Sequence, residues 1–162
     1  KENVELQLHA GAEVVMIFDS NAHLLAEEDL NIYLDKTFNA LVKDFPNKVG
    51  YYAKDGINYE AIIAKQNDPE INLAGMGLDS NIDLREYFKK TTDGFVQGNF
   101  SEHFLTLPHE EFLPKLDTFI EQMSVLSPEE RSGWVCGLGH GVLKTTPQEN
   151  VKEFVKRIRA SF

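Results

Sequence analysis

Cysteine is nearly absent from this sequence. Of 162 residues only Cys136 carries a thiol, so no disulfide can close within the chain, and the usage fits a reducing compartment. It sits in the apolar run Trp134-Val135-Cys136, where a small buried hydrophobe is the expected role. Long apolar runs are missing too. No stretch approaches the roughly 18 apolar residues of a membrane-spanning helix, and the first twenty residues lack a signal-peptide pattern. Positive charge is scarce: 16 Lys and Arg face 26 Asp and Glu, a formal net charge of -10. Neither nucleic acid nor an anionic membrane surface is then a default partner. An anionic substrate would need cations from elsewhere. Phosphate-binding loops are also lacking. No Gly-Lys-Ser/Thr follows the glycines of Gly137-Leu138-Gly139-His140-Gly141, and their spacing is not a dinucleotide fingerprint. His9, His23, His103 and His109 are too scattered to form a metal set, and surface or capping roles are expected of them.

What is present is an alternation of short apolar runs with helical periodicities. Val4, Leu6 and Leu8 predict a helix stopped at Gly11. The chain thus opens inside an amphipathic pattern, at Lys1 rather than a methionine, as a piece of a longer protein would. Residues 13–18 predict a strand that delivers Asp19-Ser20-Asn21 to a loop. A helix over about 27–45 follows, with Leu30, Leu34, Phe38, Leu41 and Phe45 on one face. Residues 48–53 predict a second strand, delivering Lys54-Asp55-Gly56, and 57–66 a short helix. Residues 73–78 predict a third strand, delivering Asp79-Ser80-Asn81, and 82–90 a helix. Residues 94–97 predict a fourth strand, delivering Gly98-Asn99-Phe100-Ser101. The helix at about 109–124 carries Phe112, Leu116, Phe119, Ile120 and Met123 inward, and Ser127-Pro128-Glu129-Glu130 caps a further turn.

The fifth strand, Trp134 to Cys136, should be short because both faces are covered. It runs into a glycine-rich loop exposing His140. Thr146-Pro147-Gln148-Glu149 then reads as a capping box with proline at the first helical position, ahead of Val151, Phe154, Val155 and Ile158 at helical spacing. Alternation of this kind implies a parallel sheet with right-handed crossovers. Each polar cluster follows a strand: Asp19/Ser20, Lys54/Asp55, Asp79/Ser80, Asn99/Ser101 and His140. In a parallel sheet these points share one edge and can line one site. Taken singly, each reads as a turn or a cap. Two architectures fit the pattern: a complete five-stranded doubly wound sheet, or the second half of a (β/α)8 TIM barrel, which normally takes about 250 residues.

Five motifs occur in the order characteristic of one family. They are Ile17-Phe18-Asp19-Ser20-Asn21-Ala22, Tyr52-Ala53-Lys54-Asp55-Gly56, Gly77-Leu78-Asp79, Gln97-Gly98-Asn99-Phe100 and Leu138-Gly139-His140-Gly141, followed by the Thr-Pro-x-Glu-Asn-Val helix start. In these the chain resembles the carboxy-terminal half of uroporphyrinogen decarboxylase. The resemblance implies that residues 1–162 form the second half of a single cofactor-free TIM-barrel domain, working as a cytoplasmic homodimer. The implied reaction is a carboxy-lyase step of haem and porphyrin biosynthesis, removing the four acetate carboxyls of uroporphyrinogen to give coproporphyrinogen. By motif, Ser20 corresponds to a serine that contacts a substrate carboxylate, and His140 to a histidine that contacts substrate and assists catalysis. The family's aspartate for the pyrrole N–H groups, its arginine pair and its pocket tyrosine belong to the amino-terminal half, which this chain does not contain. The chain alone is therefore expected to be inactive, with that half and the porphyrinogen as its partners.

The family's Gly-Asn-Leu-Asp-Pro is Gly98-Asn99-Phe100-Ser101-Glu102 here, and its Asn before Leu-Gly-His-Gly is Gly137. Both departures lie at the active edge. They motivate a second reading, a degenerate half-barrel that binds a small ligand or regulates. A third is a cobalamin-dependent methyltransferase-like protein. That branch needs a His-x-Cys where this chain reads Tyr51-Tyr52-Ala53 and a cysteine where it has His140, so no metal is expected.

Overall fold

The structure, a computed structural model, describes residues 1–54, 59–90 and 94–162. Asp55 and Gly56 of the expected second strand-end loop, and Ile57 at the expected start of the third helix, lie outside the described residues. Five strands, β1 (Val15–Asp19), β2 (Val49–Ala53), β3 (Gly75–Gly77), β4 (Phe95–Phe100) and β5 (Trp134–Leu138), form one sheet. All neighbours are parallel, and the spatial order is the chain order. A doubly wound sheet reverses its strand order at a switch point. This sheet never reverses, so the architecture is a singly wound α/β arc, part of a TIM barrel.

The helices are α1 (Glu2–His9), α2 (Glu27–Thr37), α3 (Tyr59–Gln66), α4 (Leu84–Phe88), α5 (His109–Ser124) and α6 (Gln148–Ser161). Gly11 follows α1 with φ +101, the left-handed stop its position predicted. The helix expected to reach residue 45 is α2 plus one wide turn, Phe38–Val42, in which Phe38 and Val42 are both fully buried.

Alternate strand residues serve two faces. Val15, Val49, Tyr51, Met76 and Val96 point outward, into a core shared with Leu30, Leu34, Phe38, Leu73, Leu84 and Tyr87. A second cluster gathers Phe112, Leu116 and Phe154 around Phe100, whose ring meets four other phenylalanines at centroid distances of 5.2–6.2 Å. The inner face is different. β2 and β3 are buried throughout, but Phe18 is 66% exposed and Val135 48%. β1 and β5, expected to be covered on both faces, are not: they are the edge strands of the arc, and Phe18 and Val135 stay open on their inner side although the Phe18 ring meets that of Tyr52.

The expected capping box at Thr146 does not form. Pro147, with ψ 132, occupies the N-cap position instead of the first helical one, and the buried Thr146 Oγ1 finds no partner among the described residues. The start of α6 is set from a distance. Asn150, fully buried, donates from Nδ2 to the Leu105 and Leu107 carbonyls at 3.0 and 2.9 Å. Its Oδ1 lies 2.8 Å from His109 Nδ1, so His109 is a structural link between α5 and α6. The expected box at Ser127 does form: Ser127 N–H donates to Glu130 Oε2 at 2.8 Å, and Glu130 N–H to Ser127 Oγ at 3.2 Å.

Candidate active site

The carboxyl ends of the strands share one edge, and short side-chain bonds hold their loops. At the end of β1, Asp19 accepts from the Tyr51 hydroxyl at 2.8 Å and from the Asn21 N–H at 3.3 Å. This double tether sets the turn that carries Ser20. Burial, with a hydrogen bond to the Asp19 carboxylate, raises the Tyr33 pKa, so that phenol stays neutral beside Asp19. At the end of β3, Asp79 accepts from the Asn81 N–H at 2.8 Å. Asn99 at the end of β4 donates to the carbonyls of Asp79 and Ile82 at 2.7 and 2.6 Å. The β3 and β4 loops are thereby locked together.

The β5 loop is clamped from two sides. The Tyr52 hydroxyl reaches across the inner face to donate to the Gly139 carbonyl at 2.9 Å. On the other side Gly139 lies against Ser80, where a Cβ would meet the Ser80 nitrogen at 2.3 Å. Only glycine tolerates that approach. His140 follows directly, exposed at the strand edge.

Tyr52, Gly139 and His140 divide two chambers. The larger, about 470 Å³, is mainly apolar, with Met16, Phe18, Leu78, Leu138 and Val142 around Ser20, Gln97 and His140. The smaller, about 290 Å³, is polar, with Lys54, Asp79, Ser80, Asn81, Glu102 and His103 around the same dividing residues. Ser20 and His140, 120 positions apart in the chain, therefore open onto one space. Lys54, Asp79 and Ser80 join them through the second chamber. Asn99 and Ser101 do not: Asn99 is a loop lock, and both line a separate cleft of about 550 Å³ between α4 and α5. That cleft is larger than either chamber, but it holds neither Ser20 nor His140.

Two residues of this edge escaped the sequence reading. Tyr52 alternates with Tyr51 in an apolar strand, and nothing local tells which hydroxyl crosses the sheet. Glu102 stood out only as a departure from a family pattern. It is 8% exposed, and its Oε2 has no hydrogen-bond partner among the described residues. Burial pushes the Cys136 thiol up to about 12, so it remains protonated near neutral pH and acts as a packing group. Among the described residues no group of three His, Cys, Asp or Glu side chains is placed to hold a metal ion. Nor is any helix there long and apolar enough to cross a membrane.

A family model described as uroporphyrinogen decarboxylase (URO-D) matches residues 1–161. The chain is 29% identical over 159 residues to the uroporphyrinogen decarboxylase of Orientia tsutsugamushi (strain Ikeda), covering 98% of this chain and 45% of that protein. It is 29% identical over 159 residues to that of Prochlorococcus marinus subsp. pastoris, covering 94% and 43%. With that of Staphylococcus carnosus it shares 28% over 152 residues, covering 91% and 41%. The chain thus spans a little under half the length of the curated relatives it matches.

Proposed function

The chain belongs to the uroporphyrinogen decarboxylase family, and from that premise we propose that it forms the carboxy-terminal half of a decarboxylase barrel. The substrate is uroporphyrinogen, the product coproporphyrinogen, and the working protein a cofactor-free homodimer in the cytosol. The observation that carries this reading is the meeting of Ser20 and His140 on one chamber of about 470 Å³, at the carboxyl edge where barrels of this kind keep their chemistry.

A pyrrole acetate loses carbon dioxide once the ring carbon is protonated, because the resulting iminium accepts the electron pair of the breaking C–C bond. The reaction needs a proton donor at the ring, an environment that tolerates the cation, and donors for the carboxylates. The apolar walls Met16, Phe18, Leu138 and Val142 suit the face of a pyrrole ring. The Ser20 hydroxyl donates to an acetate carboxylate. The His140 imidazole, at the boundary of the two chambers, donates a hydrogen bond or a proton to the reacting arm. Lys54 is the one Lys or Arg side chain lining either chamber among the described residues. The guanidinium forks that a polycarboxylate needs then come from a complementary amino-terminal segment.

The test is anaerobic incubation of uroporphyrinogen with the native assembly containing this chain, followed by chromatography of the oxidised porphyrins. Coproporphyrin is the expected product, and its absence would refute the reading. His140→Gln should lower turnover by about 10²-fold or more with an unchanged thermal midpoint. A folded His140→Gln protein with full turnover would remove His140 from the reaction.

A further inference from the structure

One row of residues crosses the inner face of the sheet from edge to edge. Phe18 is in register with Tyr52, Tyr52 with Gly77, Gly77 with Gln97, and Gln97 with Val135. Two members of the row carry hydrogen-bonding side chains. The Tyr52 hydroxyl donates to the Gly139 carbonyl. Gln97 lines the larger chamber with Ser20 and His140, and its amide makes no hydrogen bond to another described residue. Among the described residues the side-chain atoms sealed away without a partner are Glu102 Oε2 and Thr146 Oγ1, so the Gln97 amide keeps access to open space.

Beside that amide the chain leaves room. Elsewhere on the inner face glycine yields to a neighbour: a Cβ at Gly50 would strike the Met16 thioether, one at Gly75 the Phe95 ring, and one at Gly77 would come within 3.1 Å of Tyr52 Cβ. Gly137 differs. A Cβ there would first meet Gln97 Cγ and Nε2, both at 3.9 Å, which is ordinary contact. Nor is Gly137 among the residues with positive φ. Neither close approach nor backbone conformation calls for glycine at this position. An Asn here, as in the family pattern, would set a second amide beside Gln97, and glycine leaves that place open.

We propose that Gln97 and the gap at Gly137 form a seat for one side-arm carboxylate of the substrate, with Gln97 Nε2 as the donor. The proposal rests on the decarboxylase reading, which supplies a macrocycle whose rim carries acetate and propionate arms. A neutral amide suits the task. It donates to the carboxylate when substrate is bound, and it leaves no uncompensated charge in an apolar chamber when substrate is absent. Gln97 is level with Val135, three residues before Leu138 at the end of β5. A strand rises about 3.3 Å per residue, which puts this level about 10 Å below the edge where His140 stands. The seated arm is therefore not the arm that reacts, and its contact is the same before and during the chemical step.

The test follows the anaerobic loss of uroporphyrinogen with the native assembly. Gln97→Leu keeps the bulk and removes the donor. Gln97→Glu keeps the shape and sets a negative charge against the arm. Gln97→Leu should raise KM about 10- to 100-fold, the effect of one hydrogen bond to a charged group, with kcat little changed, as the loss of uniform binding requires. Gln97→Glu should raise KM at least as far. Gly137→Ala, which narrows the room but keeps the donor, should raise it less. Inhibition by added coproporphyrinogen then names the arm. A propionate survives in that product, so a seated propionate makes inhibition weaken in Gln97→Leu by the same factor. A seated acetate leaves inhibition as in wild type. Folded Gln97→Leu and Gln97→Glu proteins with wild-type KM overturn the seat, and so does a fall in kcat at unchanged KM. A lower thermal midpoint with unchanged KM also overturns it, and makes Gln97 a bond within the assembly. In each of these cases wild-type turnover keeps the decarboxylase reading intact. A wild type that makes no coproporphyrinogen overturns that reading, and the ligand of the seat with it.

Discussion

Tyr52 and Cys136 show how single side chains set the site. The Tyr52 hydroxyl is the bond across the inner face that holds the His140 loop, through the Gly139 carbonyl. Tyr52→Phe keeps the ring and leaves that carbonyl without its donor. The expected loss is about 1–3 kcal/mol in urea unfolding, with faster amide exchange in the loop around His140. An unchanged midpoint together with unchanged exchange would show that the glycine contact with Ser80 suffices. Cys136 gives a pH signature. Its folded pKa is raised to about 12 by burial, against roughly 8.5 in an unfolded chain. Between those values the folded protein keeps a proton that the unfolded chain has lost. The thiol's contribution is therefore whole below about pH 8.5 and drains away as pH rises toward 12. Tyr87, also raised by burial, drifts the same way, so the comparison is with Cys136→Ala. Unfolding free energies measured from pH 7 to 10 should fall less steeply in that variant. Parallel curves would mean that Cys136 does not contribute.

Among the elements, those governed by local chemistry were legible and those governed by distant partners were not. The Ser127–Glu130 box needs only its own four residues, and it formed. Gly11 needs only its own backbone. The Thr146 box had the right residues but lost to Asn150, whose amide fastens α6 to the Leu105 and Leu107 carbonyls. Strand and helix order could be read because buried strands are short apolar runs between turn residues. The alternation alone suits a sheet that reverses and one that does not, and it was the ordered family motifs that pointed to the half-barrel order in space. For the site, placement after strands raised Ser20 and His140 alongside Lys54, Asp79, Ser80, Asn99 and Ser101, and the family resemblance singled out the first two. Placement could not say that Asn99 turns away as a loop lock, because position after a strand says nothing of where a side chain bonds. Asn150 is the element-scale test. Asn150→Ala removes two buried donors and the acceptor opposite His109, and should cost about 2–4 kcal/mol. In urea the midpoint should drop with an unaltered slope, since the same surface is exposed on unfolding. A loss under about 0.5 kcal/mol, the size of an ordinary surface change, would show that α6 is held by Phe154 packing alone.

At the scale of the molecule, the arc ends in two edges that no other described strand closes. Among the described residues β1 pairs with β2 alone and β5 with β4 alone, so each presents a row of backbone N–H and C=O groups on its free side. The inner face between them carries Phe18 and Val135 well exposed, where a closed barrel would stack layers of side chains. Each such side chain forgoes part of the roughly 1.5–3 kcal/mol that full burial contributes. A whole domain is stable by only about 5–15 kcal/mol. A polypeptide of residues 1–162 by itself should therefore be marginal, and should gain stability by covering this face and pairing these strands. The occupants we propose are a complementary half of the barrel or a second copy of the arc. Size-exclusion chromatography with light scattering on residues 1–162 should show a dimer or larger species. Adding the complementary half should convert it to a one-to-one complex with a higher thermal midpoint. Phe18→Asp, placed on the exposed inner face, should weaken either association while leaving the helix-covered core untouched. A monomer that unfolds cooperatively and ignores the added half would mean that the two cores behind the sheet are sufficient, and that the inner face is a finished surface of this protein.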